Sequence, residues 1–269
     1  MQRNNIRVLI LGDIVGPIGR NVVKYYLSNN KKKENIDFVI ANGENVTHGH
    51  GLSYEHYLQL LSYGIDCITS GNHFFDSHDC FNKDYDFSNY IRPINLDKDA
   101  PLIGSKVYTI KDNIKIRVTN ALGRVFMNNV QSNPFYDIDN IISSKEKTIH
   151  IVDFHAEATA EKRIMGEYLS NRVTAVFGTH THVQTNDAKL LNDSTFFISD
   201  VGMNGQYDSV LGTDKDKSIY HTVKLLPKKF DVNLKGDGLL NGLILDINPD
   251  TYKVESFKVL NEVIKQELL

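Results

Sequence analysis

Continuous apolar runs alternate with helical periodicity in the amino-terminal part of the chain. The runs at 6–11, 36–41 and 65–69 are rich in β-branched side chains, which is typical of strands covered on both faces. Between them, 20–27 and 53–61 repeat apolar residues with the period of a helix. Serial βα units of this kind imply a parallel sheet with right-handed crossovers. The pattern therefore predicts an α/β fold.

The rest of the chain continues as strands around one further helix. Strands are predicted at 106–110, 115–122, 148–154, 174–178 and 196–199, a closing antiparallel pair at 239–247 and 254–259, and a helix at 158–169. The aromatic-rich segment 74–101 is expected to be a lid or surface excursion, and no element is predicted in the polar segment 128–147. We expect a single domain over residues 1–269.

Composition excludes several classes of protein. Of the 269 residues, 41% are hydrophobic and 23% are charged, the balance of an ordinary globular protein. The net charge of -3 provides no broad basic field, which disfavours a groove for duplex nucleic acid. Cys67 and Cys80 form no C-x-x-C pair and are expected to be buried or incidental thiols in a reducing compartment. Because we find no apolar leader and no run of about 18 apolar residues, we expect a cytoplasmic protein without a membrane partner.

Polar side chains follow many of the predicted strands. The residues in these positions are Asp13, Glu44 with Asn45, Asn72 with His73, His155, and the pair His180 and His182. In parallel sheets the chemistry gathers beyond the carboxyl ends of the strands. Residues two apart in an extended backbone face the same side, so His180 and His182 can converge on one small volume. The spacing therefore predicts a cluster of oxygen and imidazole donors at one edge of the sheet.

The mixture of donors indicates a metal centre. Carboxylate, amide and imidazole ligands together suit iron, manganese or zinc, whereas calcium and magnesium favour oxygen alone. The donors outnumber what one structural zinc requires, which suggests two metals that share a bridging carboxylate, either Glu44 or Asp13. Two carboxylates leave two divalent ions with excess positive charge. Such a centre favours an anionic substrate, and a phosphate ester fits.

A phosphate ester at this centre implies a hydrolytic mechanism. A bridging hydroxide, formed from a water that both metals acidify, would attack phosphorus in line. The departing alkoxide would then need a proton donor, and His73 beside Asn72 is the candidate. The sequence therefore predicts a phosphodiester or other phosphate ester as the substrate.

The same residues resemble a known signature. Gly12-Asp13, Gly43-Glu44-Asn45, Gly71-Asn72-His73, His155 and Gly178-Thr179-His180-Thr181-His182 resemble, in order and context, the signature of calcineurin-like metallophosphoesterases. That superfamily usually has Asp-x-His after the first strand and Gly-Asp after the second, where this chain has Asp13-Ile14-Val15 and Glu44-Asn45. With these departures, and with the segments 123–127 and 207–212, the chain is similar to the YmdB family of bacterial phosphodiesterases.

The resemblance implies a fold, a centre and a reaction. The fold would be an αββα metallophosphoesterase sandwich with mixed sheets flanked by helices. One metal would be held by Asp13, Glu44, Asn45 and His182, and the second by Glu44, Asn72, His155 and His180, with Glu44 as the bridge. His73 matches the proton donor. The resemblance also implies a di-iron centre that hydrolyses 2′,3′-cyclic nucleotide monophosphates. Residue chemistry alone leaves manganese, zinc and linear esters open.

Several alternatives stay open at this point. His48 and His50 could contact the site or belong to a flexible loop, and Arg124 could clamp a substrate phosphate or form an ordinary ion pair. The same centre would suit a nucleotidase or phosphomonoesterase. A nucleotide-sensing regulatory protein with little turnover is a further reading. The aromatic segment around Phe74 and Phe87 could serve a partner or a subunit contact, although packing in the core or in a lid is the commoner explanation.

Overall fold

The computed structural model describes residues 5–143, 147–225, 232 and 235–269. A basic cluster of Lys224, Lys228 and Lys229, which the sequence favours as a solvated face, lies partly outside these residues, because only Lys224 is described. Among the described residues, no helix combines the length and the apolar character needed to cross a membrane.

Two mixed β-sheets and flanking helices make up the fold. In chain order the strands are β1 (Ile6–Leu11), β2 (Asp13–Ile14), β3 (Phe38–Asn42), β4 (Cys67–Thr69), β5 (Ser105–Thr109), β6 (Lys115–Leu122), β7 (Ile149–His155), β8 (Ala175–Thr179), β9 (Lys189–Leu191), β10 (Thr195–Ile198), β11 (Met203–Gln206), β12 (Gly238–Ile247) and β13 (Val254–Ile264). The α-helices are α1 (Gly16–Asn30), α2 (Tyr54–Ser62), α3 (Pro134–Ile142), α4 (Thr159–Leu169) and α5 (Lys215–Lys224).

Each sheet combines parallel strands with antiparallel ones. The first has the order β2-β11-β12-β1-β3-β4, and β13 also pairs with β12. Strands β1, β3 and β4 are parallel, and β12 runs antiparallel to β1. The second has the order β5-β6-β7-β8-β10-β9, with β6, β7, β8 and β10 parallel. The carboxyl ends of the parallel strands in each sheet therefore fall at one edge.

Alternating side chains of β1 divide the hydrophobic core into layers. Val8 and Ile10 pack with residues of the second sheet, such as Val118 and Ile151. Their neighbours Leu9 and Leu11 pack instead with residues of α1 and α2. A third cluster packs the outer face of the second sheet against α4. The layers therefore run helix, sheet, sheet, helix, and the predicted αββα sandwich with mixed sheets is confirmed.

Three elements show where the sequence patterns fail. Helix α3 lies within the segment 128–147, for which the pattern predicts no element. Its start does carry a signal, because the Asn133 side chain accepts a hydrogen bond from the Phe135 amide and Pro134 occupies the first turn. Helix α5 gives no apolar periodicity, since Ser218 is its buried residue. Strand β11 has only 4 residues, which is too short to show a periodic pattern.

The segment 74–101 connects the first sheet to the second. It contains short 3-10 helices at Phe74–Asp76 and His78–Phe81. Phe74, Phe87 and Tyr90 are buried in the cluster that also contains α1 and α2 residues. Much of the segment therefore packs onto the first sheet, and the commoner explanation of its aromatic residues holds for these three. Its role as a lid and the single-domain organisation stay predictions.

Buried His150 gives the fold a pH dependence. Its side chain is 6% exposed, its Nε2 is 2.9 Å from Thr119 Oγ1, and burial lowers its pKa from 6.5 to about 3. Between these values the unfolded chain binds a proton that the folded chain excludes, so this contribution to stability is lost as pH falls. When the pH falls from 7 to 5, the free energy of unfolding of the His150→Gln variant should therefore decrease by about 2 kcal/mol less than that of the wild type.

Urea unfolding at both pH values measures this difference. Substitution of the exposed His78 by glutamine is the matched control and should leave the pH dependence unchanged. Equal pH dependence in the wild type and the His150→Gln variant would show that His150 does not contribute.

Candidate metal centre

The polar residues at the strand ends meet at the edge where the carboxyl ends of the two sheets lie. Asp13 begins β2, Glu44 and Asn45 follow β3, Asn72 and His73 follow β4, His155 ends β7, and His180 and His182 follow β8. Asp13, Glu44 and His155 are at most 1% exposed. Parallel pairing of β1 with β3 and of β7 with β8 brings these ends together, as the sequence pattern predicts.

One group of potential ligands surrounds His155. Its Nε2 lies 3.2 Å from Glu44 Oε1, 3.0 Å from Asn72 Oδ1 and 3.1 Å from His180 Nδ1. Ligand atoms of Glu44, His155 and His180 all lie within 4.8 Å of one another, a spacing at which they could hold one metal ion. These four residues are the set that the resemblance implies for one metal.

A second group lies on the other side of Glu44. The Asn45 Nδ2 is 3.0 Å from His182 Nε2 and donates to Glu44 Oε1 at 3.2 Å. His182 Nε2 is 4.0 Å from Asp13 Oδ1. The structure therefore brings Asp13, Asn45 and His182 beside Glu44, which contacts members of both groups. The assignment of ligands to individual metals stays a prediction.

Outer hydrogen bonds orient two of the three imidazoles through Nδ1. Nδ1 of His155 donates to Thr179 Oγ1 at 2.9 Å, because this hydroxyl donates in turn to Asp153 Oδ1 at 2.7 Å. His182 Nδ1 donates to the Leu211 carbonyl at 2.9 Å. Each arrangement leaves Nε2 as the nitrogen with a free lone pair, directed into the centre.

The third imidazole, His180, is oriented by an acidic residue. Its Nε2 lies 3.0 Å from Glu157 Oε2, to which it donates, so Nδ1 is the nitrogen that faces His155. The backbone at His180 and His182 has φ of 101° and 66°, a conformation that residues other than glycine rarely adopt. Strain of this kind persists where the surroundings fix it, and it clusters at functional sites.

Asp200 fixes the loop between the two histidines. Its Oδ2 accepts hydrogen bonds from the Thr181 amide at 3.0 Å and from the Thr181 hydroxyl at 2.7 Å. The same oxygen accepts from Lys162 Nζ at 2.7 Å, and both charged side chains are at most 2% exposed. A buried ion pair with α4 therefore holds the turn that carries His180 and His182.

Burial and neighbouring charges shift the pKa values of the acids and bases at the centre. Burial would lower the pKa of His155, but the neighbouring Glu44 carboxylate raises it above its ordinary value. Burial raises the pKa of Asp13, and burial together with the His155 charge lowers the pKa of His180 to about 4. Opposite shifts among buried acids and bases in one cluster are typical of functional sites.

The residues present fit a bound metal. Asp13 Oδ1 is buried without a hydrogen-bond partner, and an unpartnered carboxylate oxygen in the interior is costly. His155 Nε2 lies within 3.2 Å of oxygen atoms of Glu44 and Asn72, so a metal ion that replaced the proton on this nitrogen would meet all three ligand atoms. Gly71 keeps the space open, because a Cβ there would lie 2.1 Å from Glu44 Oε2. A cation satisfies these lone pairs together.

Some of the residues that orient the predicted ligands could be predicted from the sequence, and others could not. Asp200 follows β10, the same signal that identifies the predicted ligands, and Asp153 interrupts an apolar strand. Both could have been found from the pattern. Glu157 and Leu211 carry no such signal, since their contacts with the histidines depend on tertiary placement.

A cleft of 540 Å³ opens onto the centre. Its lining includes Glu44, Asn45, His73, His180 and His182, together with the loop residues 48–50. His48 and His50 therefore reach the cleft, and whether either of them contacts a metal stays open.

Arg124 has a different position. Together with residues 127–133 it lines a separate groove, and its backbone amide donates to Glu161 Oε1 at 2.9 Å. The proposed phosphate clamp by Arg124 stays a prediction.

The fold and the strand-end cluster define a protein of the metallophosphoesterase type. The chain belongs to the YmdB-like family, whose sequence model, described as YmdB-like protein, matches residues 9–260. It is 41% identical over 251 residues to the 2′,3′-cyclic-nucleotide 2′-phosphodiesterase of Bacillus subtilis (strain 168), an alignment that covers 92% of this chain and 94% of that protein. The predicted family is confirmed.

Solved structures agree with this assignment. The chain superposes with a TM-score of 0.91 and 36% identity on the crystal structure of a novel phosphatase from Mycoplasma pneumoniae, covering 98% of this chain and 96% of that one. It superposes on a hypothetical protein from Thermus thermophilus with a TM-score of 0.88 and 30% identity, covering 96% of this chain and 100% of that one.

The buried pair of Lys162 and Asp200 predicts a large loss of stability when one partner is removed. The Lys162→Met variant leaves an unpaired carboxylate in the interior, so we expect the free energy of unfolding to fall by about 3 kcal/mol in urea titration. The exposed pair of Lys215 and Asp208, at 2.8 Å, supplies the control. The Lys215→Met variant should change stability little, because water screens such pairs. Similar losses in both variants would contradict this account of the loop.

Proposed function

We propose that this protein hydrolyses phosphodiesters, with 2′,3′-cyclic nucleotide monophosphates as the substrate class, at a centre of two metal ions. The name of the Bacillus subtilis relative supports the reaction class and suggests the substrate. The observation that carries the proposal is the position of Glu44, which lies between the group around His155 and the group containing His182.

Two sets of residues would hold the ions. Asp13, Asn45 and His182 would hold one, Asn72, His155 and His180 the other, and Glu44 both. When bound, the ions would supply the positive charge that holds the phosphodiester and acidifies the attacking water. Their mixed donors suit iron, which the family resemblance implies, and also manganese or zinc.

The chain itself supplies binding and orientation. Asp13 and Glu44 are anionic ligands, so two divalent ions would leave the inner cluster net positive and attract the phosphodiester. The relay from Asp153 through Thr179 keeps the unprotonated Nε2 of His155 directed into the centre. Each outer bond of this kind limits the rotation of a ligand and keeps its proton away from the ion.

His73 would be the proton donor. Its backbone amide donates to Glu44 Oε2 at 3.2 Å, which fixes the residue beside the centre. Its Nδ1 donates to Asp76 Oδ2 at 2.7 Å, so Nε2 is the nitrogen available to the substrate. The imidazole lines the cleft, where it could protonate the departing ribose oxygen.

A phosphomonoesterase is a second candidate, because the similar Mycoplasma pneumoniae protein of known structure is described as a phosphatase. Rates on 2′,3′-cyclic AMP and on 3′-AMP, measured with one preparation, separate the two activities. Preference for the cyclic diester supports the proposal, and preference for the monoester contradicts it. Cytoplasmic location and self-association stay predictions.

Substitutions should separate metal binding from proton transfer. We expect the Asp13→Ala variant to lose metal and activity together, because it removes a buried anionic ligand. The His73→Ala variant should keep its metal and lose about 100-fold or more in kcat, the usual contribution of a general acid. Elemental analysis and hydrolysis of 2′,3′-cyclic AMP measure both quantities.

The exposed His78 provides the control for these variants. The His78→Ala variant should keep both metal and activity, since this side chain does not line the cleft. Full hydrolysis by metal-free protein would overturn the proposed mechanism, and unchanged kcat in the His73→Ala variant would remove His73 from it.

A further inference from the structure

The cleft at the metal centre continues along an apolar wall. Val15, Val210, Leu211 and Val232 line it together with several of the predicted ligand residues. A phosphodiester group alone would fill only part of the 540 Å³, which lies in the range of pockets for whole small molecules. The wall therefore has room for the organic part of a substrate.

The wall is exposed, and one of its residues is hydrogen-bonded to a predicted metal ligand. Val210 is 40% exposed and Leu211 is 48% exposed, although both side chains are apolar. The Leu211 carbonyl accepts the hydrogen bond from His182 Nδ1, and Leu211 has a φ of 53°, which is unfavourable for a leucine. The same residue therefore orients a predicted ligand and lines the adjoining cleft.

Paired backbone hydrogen bonds hold the turn that carries the wall. The amide of Val210 donates to the Thr213 carbonyl and the amide of Thr213 donates to the Val210 carbonyl, both at 3.0 Å. A Cβ on Gly212 would lie 2.6 Å from Val15 Cγ1, so the turn packs closely against Val15. These contacts hold Val210 and Leu211 beside Val15.

Two hydroxyl groups that line this part of the cleft, those of Thr213 and Ser218, are already bonded within the protein. Thr213 Oγ1 donates to the Val210 carbonyl at 2.6 Å. Ser218 Oγ donates to the Asp214 carbonyl at 2.8 Å and lies 2.8 Å from Thr213 Oγ1. Because of these bonds, the two hydroxyl groups are poorly placed to form hydrogen bonds with the polar atoms of a ligand. The surface offers mainly methyl groups.

Imidazole rings complete the surroundings. His48 and His50 line the same cleft, and the His50 ring centroid lies 4.8 Å from that of His73. Flat rings of a ligand can stack on imidazole and pack on aliphatic side chains without regard to their hydrogen-bonding edges. A flat heteroaromatic group therefore suits the part of the cleft beside Val15, Val210 and Leu211.

We propose that the wall of Val15, Val210 and Leu211 is a subsite for the nucleobase of the substrate, and that it selects by ring area rather than by base identity. This inference rests on the proposed function. In a 2′,3′-cyclic nucleotide one ribose ring separates phosphorus from the base. A phosphate at the centre therefore leaves the base at the adjoining part of the cleft.

This subsite predicts weak discrimination among bases. A site that hydrogen-bonds a substrate group rejects analogues without it by about 10⁴-fold or more, whereas an apolar pocket separates substrates by about 10- to 200-fold. We expect kcat/KM for the four 2′,3′-cyclic nucleotides to lie within about 100-fold, with both purines above both pyrimidines. A preference above this range for one base would overturn selection by area.

A base-free substrate tests the subsite directly. The probes are 2′,3′-cyclic AMP and methyl riboside 2,3-cyclic phosphate, each assayed with metal-loaded wild-type protein. We expect the ratio of their kcat/KM values to exceed about 10, since one apolar contact surface is lost. The Val210→Ser variant removes apolar surface without adding charge, and this ratio should fall several-fold while the metal content stays the same.

A valine of similar exposure provides the matched control. Val263 on β13 is 43% exposed and does not line the cleft, so the Val263→Ser variant should keep the wild-type ratio. Equal kcat/KM for both substrates in the wild type would overturn the subsite and leave the proposed function standing. Failure to hydrolyse either substrate would overturn both. A higher kcat/KM for an alkyl phosphodiester than for the nucleotide would assign the wall to an aliphatic group instead.

Discussion

The Glu44 carboxylate is buried where two sheets end, and its contacts organise the site. One oxygen lies near His155 Nε2 and the Asn45 amide, and the other accepts from the His73 backbone. Such a carboxylate is costly to bury unless positive charge or donors surround it. The arrangement of imidazoles and amides around it, with Asp13 close by, is best satisfied by cations. The proposed chemistry follows from this one constraint.

The surrounding fold fixes the positions and orientations of the predicted ligands around Glu44. Parallel strands deliver the predicted ligands to one edge, and buried pairs beyond them limit how they can turn. Asp153 acts on His155 through Thr179, while Lys162 and Asp200 hold the Thr181 backbone. These outer groups orient the ligands. Each is a buried charged or polar group, so it would destabilise the fold if its partner were removed.

Much of this arrangement could be predicted from local patterns. Strand ends are visible as apolar runs that stop at a polar residue, which locates Asp13, Glu44 and His155 without a structure. Helix α5 could not be predicted, because it buries little apolar surface. The roles of Glu157 and Leu211 could not be predicted either, because they depend on contacts between segments that are distant in sequence. Periodicity reports burial within one element and carries no information about such contacts.

The central claim is that Glu44 joins two metal sites. X-ray absorption spectroscopy on anaerobically purified protein, combined with elemental analysis of the same sample, tests it most directly. We expect two metal ions per chain, with a metal neighbour at about 3.5 to 4 Å, the separation typical of two-metal sites. One ion per chain, or two ions without a neighbour at this distance, would contradict it.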